Sequence, residues 1–222
     1  MDAVGLRQRK KQRTREQIAA AAAALFAEHG YEQVTVADVA RAAEVSEQTV
    51  YNYFPAKQQL VLDRDQALRN QLTQAVRGRP PGLSPAAAIR PHALGFVDEL
   101  GTLPQEQVRG GLGYLAAVSP AIRRLSLEMT DRHAEAIAGA IAETTPGTHP
   151  LQAKMHAIAL AWVFQAITDE TGRRSRGGQP PAMIAAGLRP VIAAIIDDLD
   201  RWLANAPRTN TRGNRQAHRG PP

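Results

Sequence analysis

The stretch "TVADVARAAEVSEQTVYNYFPAK", residues 35–57, decides the fold of this chain because it places two helix starts close together. Thr35 and Ser46 are residue types favoured at helix N-caps, and they lie eleven positions apart. Pro55 stops the second helix after about two turns. Since so short a helix is unstable alone, the pattern predicts both a supporting helix and a partner that the short helix serves.

A tight turn around Ala43, Glu44 and Val45 joins these helices, and the spacing matches a helix-turn-helix, whose second helix enters the major groove of DNA. Val50 and Phe54 can tie the second helix to its neighbours. The outward positions are then Glu47, Gln48, Thr49, Tyr51, Asn52 and Tyr53. Exposed tyrosines indicate a partner, and hydroxyl donors suit phosphate oxygens. The same spacing also fits a structural helical hairpin in a larger bundle.

The composition favours an all-α fold. Hydrophobic residues make up 44% of the 222 residues but aromatic residues only 5%, and the excess of alanine favours helices. The absence of cysteine excludes disulfides and thiolate metal sites and fits a reducing cytoplasm. The net charge of +6 suits a polyanionic partner without requiring one. Without a signal peptide or a membrane-length apolar run, we expect a protein that is not exported.

Helix signals predict about nine helices. A capping box at Thr14 and Gln17 opens the first, and Gly30 ends it. The fourth runs from Lys57 to Val76, where "RGRPPG" marks a domain boundary along the chain. Further helices are expected near 84–101, 105–118, 120–144, 151–171 and 181–205.

Charge and helix content divide the chain into four parts. Residues 1–13 are expected to be a flexible basic arm, with Arg7, Arg9, Lys10, Lys11 and Arg13. Residues 14–60 form the helix-turn-helix DNA-binding domain, and 61–205 form a helical ligand-binding and dimerisation domain. Residues 206–222, rich in Arg, Asn, Gly and Pro, are expected to be a disordered tail.

The last two predicted helices are apolar around much of their circumference, which indicates burial on one side and association on another. On helix 151–171, one face holds Leu151, Met155, Ile158, Trp162 and Ala166, and a second holds Leu160 and Phe164. On helix 181–205, one wide stripe holds Ile184, Leu188, Val191, Ile195, Leu199 and Trp202, and Ile192, Ile196 and Leu203 lie beside it. We expect these helices to form the two-fold, four-helix interface of a homodimer.

The run "TVADVARAAEVSEQTVYNYFPAKQQL", preceded by "LFAEHGYEQV", resembles the amino-terminal DNA-binding domain of the TetR family of transcriptional regulators over about residues 14–62. The resemblance implies an all-α homodimeric repressor that a small molecule releases from palindromic operator DNA. It also implies phosphate contacts by Thr49, Tyr53 and Lys57, and base reading by Glu47, Gln48 and Tyr51. The implied DNA-binding set is Thr35, Ser46, Glu47, Gln48, Thr49, Tyr51, Asn52, Tyr53 and Lys57.

Each base-reading position has a chemical rationale. Gln48 can pair with adenine, Glu47 can accept from the cytosine amino group, and the ring of Tyr51 can pack on a thymine methyl. Glu47 has an alternative role, which is to stabilise the positive end of its helix. Ala37 stands where some family members place a basic residue, so the preceding helix lacks that base-reading side chain.

An effector pocket is expected in the larger domain. His133 continues an apolar stripe with Met129, and His92 and Phe96 lie one turn apart on another helix. Such histidines can be core residues or pocket residues. The candidate lining is His92, Phe96, Tyr114, Met129, His133 and Phe164, which suits a largely apolar molecule with one or two hydrogen-bonding groups.

Other patterns point away from catalysis. "GLGYLA", residues 111–116, loosely fits a dinucleotide-binding glycine pattern, but no strand precedes it, so we interpret these glycines as loosening a helix beside a cavity. The histidines show no ligand-spaced pair, so we expect no metal and no cofactor. No catalytic arrangement stands out, and we expect no enzymatic activity.

Three hypotheses follow. The first is a ligand-responsive, DNA-binding dimeric regulator, most simply a repressor. The second is an all-α enzyme or carrier of small molecules with a structural helix-turn-helix lookalike, which would lack salt-dependent affinity for DNA. The third is a regulator that answers to a protein partner, and it predicts no cavity in the larger domain.

Overall fold

The computed structural model describes residues 3–204, which form eleven α-helices and no strand, so the all-α prediction is confirmed for this part of the chain. The helices are α1 (Ala3–His29), α2 (Val36–Ala42), α3 (Glu47–Tyr53), α4 (Lys57–Val61), α5 (Asp65–Arg77), α6 (Pro85–Thr102), α7 (Gln105–Arg109), α8 (Leu112–Val118), α9 (Pro120–Thr144), α10 (Pro150–Arg176) and α11 (Pro181–Ala204). Within 3–204, no helix combines the length and the apolar character of a membrane span.

The expectation of about nine helices was wrong because two predicted helices are each broken into two. The predicted helix Lys57–Val76 breaks at 62–64, where Asp63 and Asp65 bind cationic side chains of α1 and α9. The predicted helix 105–118 breaks at Gly110 and Gly111, between α7 and α8. Tertiary partners and glycine therefore interrupt two patterns that are helical by local propensity.

The start of α1 also differs from the prediction. The helix begins at Ala3, so residues 3–13 are helical where we expected a flexible arm, because this segment is rich in straight-chain helix formers and contains no proline. Thr14 is not an N-cap, and its hydroxyl donates to the Lys10 carbonyl within the helix. The expected tail, 206–222, lies outside the described residues.

The predicted caps of the helix-turn-helix are present. The Thr35 side chain accepts from the Asp38 amide while the Asp38 carboxylate accepts from the Thr35 amide, which completes a capping box at α2. The Ser46 side chain accepts from the Thr49 amide and caps α3. These short side-chain bonds fix where both helices begin.

Two hydrophobic cores organise the chain. The larger core joins α5, α6, α9, α10 and α11. The smaller core contains the buried residues of α1 to α4, and it also contains Leu115 of α8 and Ile122 of α9, both fully buried. The amino-terminal domain is therefore packed against the larger domain through a shared core.

Glycine permits two close contacts between helices. A Cβ on Gly110 would lie 1.9 Å from the Ala23 carbonyl oxygen, so α7 packs directly on the backbone of α1. A Cβ on Gly172 of α10 would lie 2.1 Å from the carbonyl oxygen of Gly113 in α8. Within "GLGYLA", Gly113 permits this contact, since its own Cβ would lie 2.7 Å from the Thr168 carbonyl oxygen, and Gly111 and Gly113 both line a cavity.

We predict that Gly172→Ala lowers the free energy of unfolding by about 1–3 kcal/mol, because α8 and α10 must separate to accept the methyl group. Gly139→Ala is the matched control, since Gly139 also lies within a helix but has open space around its Cβ position. That change should be neutral or stabilise by up to about 1 kcal/mol. Urea unfolding measures the free energy of unfolding of both variants. A Gly172→Ala variant as stable as the Gly139→Ala variant would contradict the proposed close contact.

Candidate nucleic-acid interface and cavity

The turn between α2 and α3 is built by backbone hydrogen bonds. The Val45 amide donates to the Ala40 carbonyl and the Glu44 amide to the Arg41 carbonyl, the pattern of a Schellman motif. Glu44 occupies the left-handed position with a φ of 54°, where glycine is more usual. The turn therefore fixes the direction in which α3 leaves α2.

Side chains of α1 hold both ends of α3. Gln17 donates to the Ala43 carbonyl in the turn before α3. At the other end, Arg15 donates to the carbonyl of Tyr53, and its guanidinium lies 4.6 Å from the ring centroid of Phe54. Val50 and Phe54 are buried in the smaller core. Helix α3 is thus anchored along its inner side and at both ends.

The outer side of α3 is polar and exposed. Ser46, Glu47, Gln48 and Asn52 are exposed, and Tyr51 has 44% of its surface accessible. The Gln48 amide donates to the Asn52 side-chain oxygen over 3.2 Å. Thr49 and Tyr53 are half-buried at the edges of this face. Donors, acceptors and an aromatic ring thus lie on one short helix, as reading of base edges requires.

Two residues of the expected DNA-binding set, Thr35 and Lys57, already have partners within the chain. The Thr35 hydroxyl donates to the Asp38 carboxylate over 2.6 Å. The Lys57 ammonium donates to the Tyr31 carbonyl over 2.6 Å and lies 4.1 Å from the Tyr31 ring centroid. Burial lowers the pKa of Lys57, although the charge of Glu32 opposes this. An ammonium has three donors, so Lys57 retains capacity for a phosphate.

Basic residues extend from the same domain along the start of α1. Arg7, Arg9, Lys10, Lys11 and Arg13 all have exposed side chains on the helical segment before Thr14. Such a row of cations attracts the phosphate backbone without reading sequence.

A cavity of about 490 Å³ lies where the two domains meet. Helix α1 contributes Glu16, Ala19, Ala20 and Ala23 to its wall. The rest of the lining comes from α4 and the 62–64 break, from α5 to α10, and includes Phe96, Leu100, Met129 and Phe164. Of the six expected lining residues, Phe96, Met129 and Phe164 therefore face the cavity, whereas His92, Tyr114 and His133 are not part of its lining.

His133 has a partner that explains its burial. Its ring Nε2 lies 2.7 Å from the Asp65 carboxylate, and only 1% of its side chain is accessible. Arg132 lies 3.3 Å from the other oxygen of Asp65. Burial acts to raise the pKa of Asp65, but the hydrogen bond and charge of His133 and the charges of Arg132 and Arg69 outweigh it, so the pKa is lowered. His133 thus fixes α5 against α9.

Sequence reasoning missed Arg15 and Asp63. Arg15 Nε donates to Asp63 over 2.6 Å, and Asp63 belongs to the cavity wall. Arg15 therefore joins the cavity wall to the end of α3. The two residues are 48 positions apart, and no local pattern marks such a pair.

Residues 18–63 match the model of a family described as bacterial regulatory proteins, tetR family. The HTH-type transcriptional regulator TcmR of Streptomyces glaucescens is 39% identical over 85 residues. That match covers 38% of this chain and only 38% of TcmR, so most of either protein lies outside it.

Solved structures resemble the fold over more of the chain. NalD of Pseudomonas aeruginosa, the secondary repressor of the MexAB-OprM multidrug efflux pump, is 20% identical with a TM-score of 0.57, covering 88% of this chain and 100% of NalD. A putative TetR-family regulator of Mesorhizobium loti is 18% identical with a TM-score of 0.50, covering 84% of this chain and 96% of that one. At these identities the likeness concerns the fold.

We predict that Asp65→Asn lowers the free energy of unfolding at pH 7 by about 1–3 kcal/mol, because it weakens the partner of buried His133. The folded-state pKa of Asp65 lies below its ordinary value, so the stabilisation is complete above about pH 4 and is lost as the pH falls through the lower pKa. The difference in the free energy of unfolding between this variant and the wild type should therefore become smaller at acidic pH.

Asp198→Asn is the control for this experiment, since Asp198 forms an ion pair with Arg201 in which both side chains are highly exposed. Its loss should change stability by less than about 1 kcal/mol. Urea unfolding at several pH values measures both variants. An Asp65→Asn protein as stable as the wild type at pH 7 would show that the pair is unimportant.

Proposed function

We propose that this chain, whose residues 18–63 match the TetR family of bacterial regulatory proteins, is a ligand-responsive repressor. As a homodimer it binds palindromic operator DNA in the cytoplasm, and a small molecule releases it. The observation that carries the proposal is the exposed polar face of α3, held at both ends by α1. TcmR is a transcriptional regulator and the matching family consists of bacterial regulatory proteins, so neither similarity points to an enzyme.

The exposed residues of α3 support its insertion into the major groove. Its N-terminal residues Glu47, Gln48 and Tyr51 are exposed, which is where recognition helices contact bases. Thr49, Tyr53 and Lys57 flank them at positions suited to phosphates. Two such helices related by a two-fold axis would read inverted half-sites, so the operator is palindromic.

Exposed apolar side chains support dimerisation through α10 and α11. Of the ten large hydrophobic side chains that are exposed among the described residues, seven lie on these two helices: Leu151, Met155, Trp162, Met183, Val191, Ile195 and Trp202. Soluble proteins rarely leave such a concentration uncovered. The expected face of Leu151, Met155 and Trp162 is thus the outward one, while Leu160 and Phe164 lie in the core.

The cavity supports control by a small molecule. Its volume of about 490 Å³ lies within the usual range for ligand sites, and its wall is mostly apolar. The hypothesis of a regulator without a ligand predicted no such space. Because α1 forms part of the wall, a ligand would touch an element that also holds the recognition helix.

We predict that Gln48→Ala weakens binding to the preferred operator by about 1–3 kcal/mol while leaving non-specific binding unchanged, since a base contact is lost but no phosphate contact. The operator would be obtained by selection from random duplexes, and fluorescence anisotropy would compare it with a scrambled duplex.

Gln66→Ala is the matched control for Gln48→Ala. Gln66 lies on α5 and donates to Asn70 four residues on, just as Gln48 donates to Asn52. The control should retain full affinity and specificity. Unchanged specificity of the Gln48 variant would remove this residue from base reading.

We predict that Ile195→Glu converts the dimer to a monomer that binds a full operator poorly, because a charge near a two-fold axis faces its own copy. Val118→Glu is the control, since Val118 is an exposed apolar residue that belongs to α8 and not to the exposed apolar face of α10 and α11. Sedimentation velocity gives the oligomeric state of each variant. A wild-type chain that is monomeric at micromolar concentration would refute this interface.

A further inference from the structure

The cavity wall is unusually acidic for an apolar site. Its lining contains the four carboxylates of Glu16, Asp63, Asp65 and Glu99 but only one cationic side chain, that of Arg64. This charge is opposite to that of the whole chain, which is +6. The wall therefore creates a local preference for positive charge against the background of the protein.

The apolar part of the wall suits a bulky organic body. Phe96 and Phe164 form an edge-to-face pair with ring centroids 6.0 Å apart, and Met129 lies on the same wall. Aromatic faces attract cations as well as apolar groups, and methionine adapts to irregular shapes.

The four carboxylates differ in the ion pairs that they already form within the chain. Asp65 binds His133 and Arg132, and Glu99 pairs with Arg64 over 2.6 Å. Glu16 accepts a hydrogen bond from the neutral Gln12 amide and has no ion-pair partner within residues 7–202. Glu16 is thus the carboxylate that a ligand can pair with at the lowest cost.

Asp63 is different because its partner also holds the recognition helix. Arg15 lies 2.6 Å from the Asp63 carboxylate and 3.2 Å from the Tyr53 carbonyl at the end of α3, and it covers the ring of Phe54. A cation that takes the place of Arg15 at Asp63 would leave this guanidinium without its carboxylate. The contact at the end of α3 would change with it.

We propose that the effector is an organic cation with a bulky apolar body, which binds this cavity at Glu16 and Asp63 and competes with Arg15 for Asp63. The proposal rests on the proposed function, because release of DNA is its consequence. An anion of the same size is disfavoured, since it would face the Glu16 carboxylate, which has no cationic partner within residues 7–202, across an apolar space. Competition for Asp63 then connects occupation of the cavity with the position of α3.

Tetraphenylphosphonium and tetraphenylborate are suitable probes, because they share shape and apolar surface but carry opposite charges. Equilibrium dialysis against the full chain should show binding of the phosphonium and at least about tenfold weaker binding of the borate. The positive net charge of the protein favours the borate, so non-specific attraction cannot produce this result. Equal binding of both ions, or tighter binding of the borate, would overturn the proposal.

Three variants test the assigned residues. Glu16→Gln and Asp63→Asn should each weaken phosphonium binding by about fivefold, the effect of one partly exposed ion pair. Arg15→Gln should instead strengthen it, because the competitor is gone, while operator affinity falls. Asp98→Asn is the control, since Asp98 forms a similar pair with Arg189 outside the cavity. This variant should bind the phosphonium as tightly as the wild type does.

Operator binding by fluorescence anisotropy separates this proposal from the proposed function. Release of DNA by the phosphonium from the wild type, but at higher concentrations from Glu16→Gln, supports both. A chain that binds its operator but not the phosphonium would refute the cation site and leave the proposed function standing. A chain that binds the phosphonium through Glu16 and Asp63 but binds no duplex would refute the regulator and leave the cation site standing. Unchanged phosphonium affinity in both carboxylate variants would refute the site.

Discussion

The seven-residue helix α3 is too short to be stable alone, and the arrangement of the amino-terminal domain follows from the need to hold it. Burial of Val50 and Phe54 fixes its inner side, but burial alone leaves rotation about the helix axis poorly defined. Gln17 and Arg15 of α1 remove that freedom by binding the backbone before and after α3. The orientation of the polar face is therefore set by α1 as much as by the turn after α2.

Helix α1 in turn is positioned by the larger domain. Gly110 lets α7 approach the backbone of α1 at Ala23, and Leu115 and Ile122 enter the core of the amino-terminal domain. The Ser119 hydroxyl also donates to the Glu32 carboxylate over 2.9 Å. A change in the larger domain therefore reaches α1 through packed contacts, and the two domains are less separate than the division at residue 60 implies.

Local chemistry explains what the sequence could predict. The caps at Thr35 and Ser46 and the buried positions Val50 and Phe54 depend on residues within a few positions of one another, so their pattern is visible in the chain. Phe96, Met129 and Phe164 were found for a similar reason, since large apolar residues on inward faces tend to border any cavity. The all-α fold follows from the same helical periodicity.

Long-range partners explain what the sequence could not predict. The segment 62–64 has no residue that stops a helix, and its break depends on cations from α1 and α9. From its apolar stripe alone, His133 could be a core residue or a pocket residue. The sequence could not decide between them because its partner Asp65 lies 68 positions away. The contribution of α1 to the cavity was missed because a contact between domains leaves no periodic signal.

The break at 62–64 also decides how a ligand can act on the recognition helix. A continuous helix from Lys57 to Val76 would move as one rigid body, so a displacement at the cavity would be transmitted directly to α4. With the break, coupling has to pass through contacts that hold the break to other helices, such as Arg15 of α1 with Asp63 and Arg64 with Glu99 of α6. These pairs are partly exposed, and each contributes at most about 1 kcal/mol.

The free energies of ion pairing and of apolar burial differ enough to assign them different roles within the cavity. Moving a conformational equilibrium from almost fully bound to almost fully released requires differential binding of about 5.5 kcal/mol, which one or two exposed ion pairs cannot supply. Apolar burial can supply it, at about 25 cal/mol per Å² of surface removed from water. The wall formed by Ala19, Ala20 and Ala23 of α1 is where such burial would differ between the two states. In the proposed scheme, charge at the cavity wall would therefore select the ligand, and contact with α1 would provide most of the energy that moves the recognition helix.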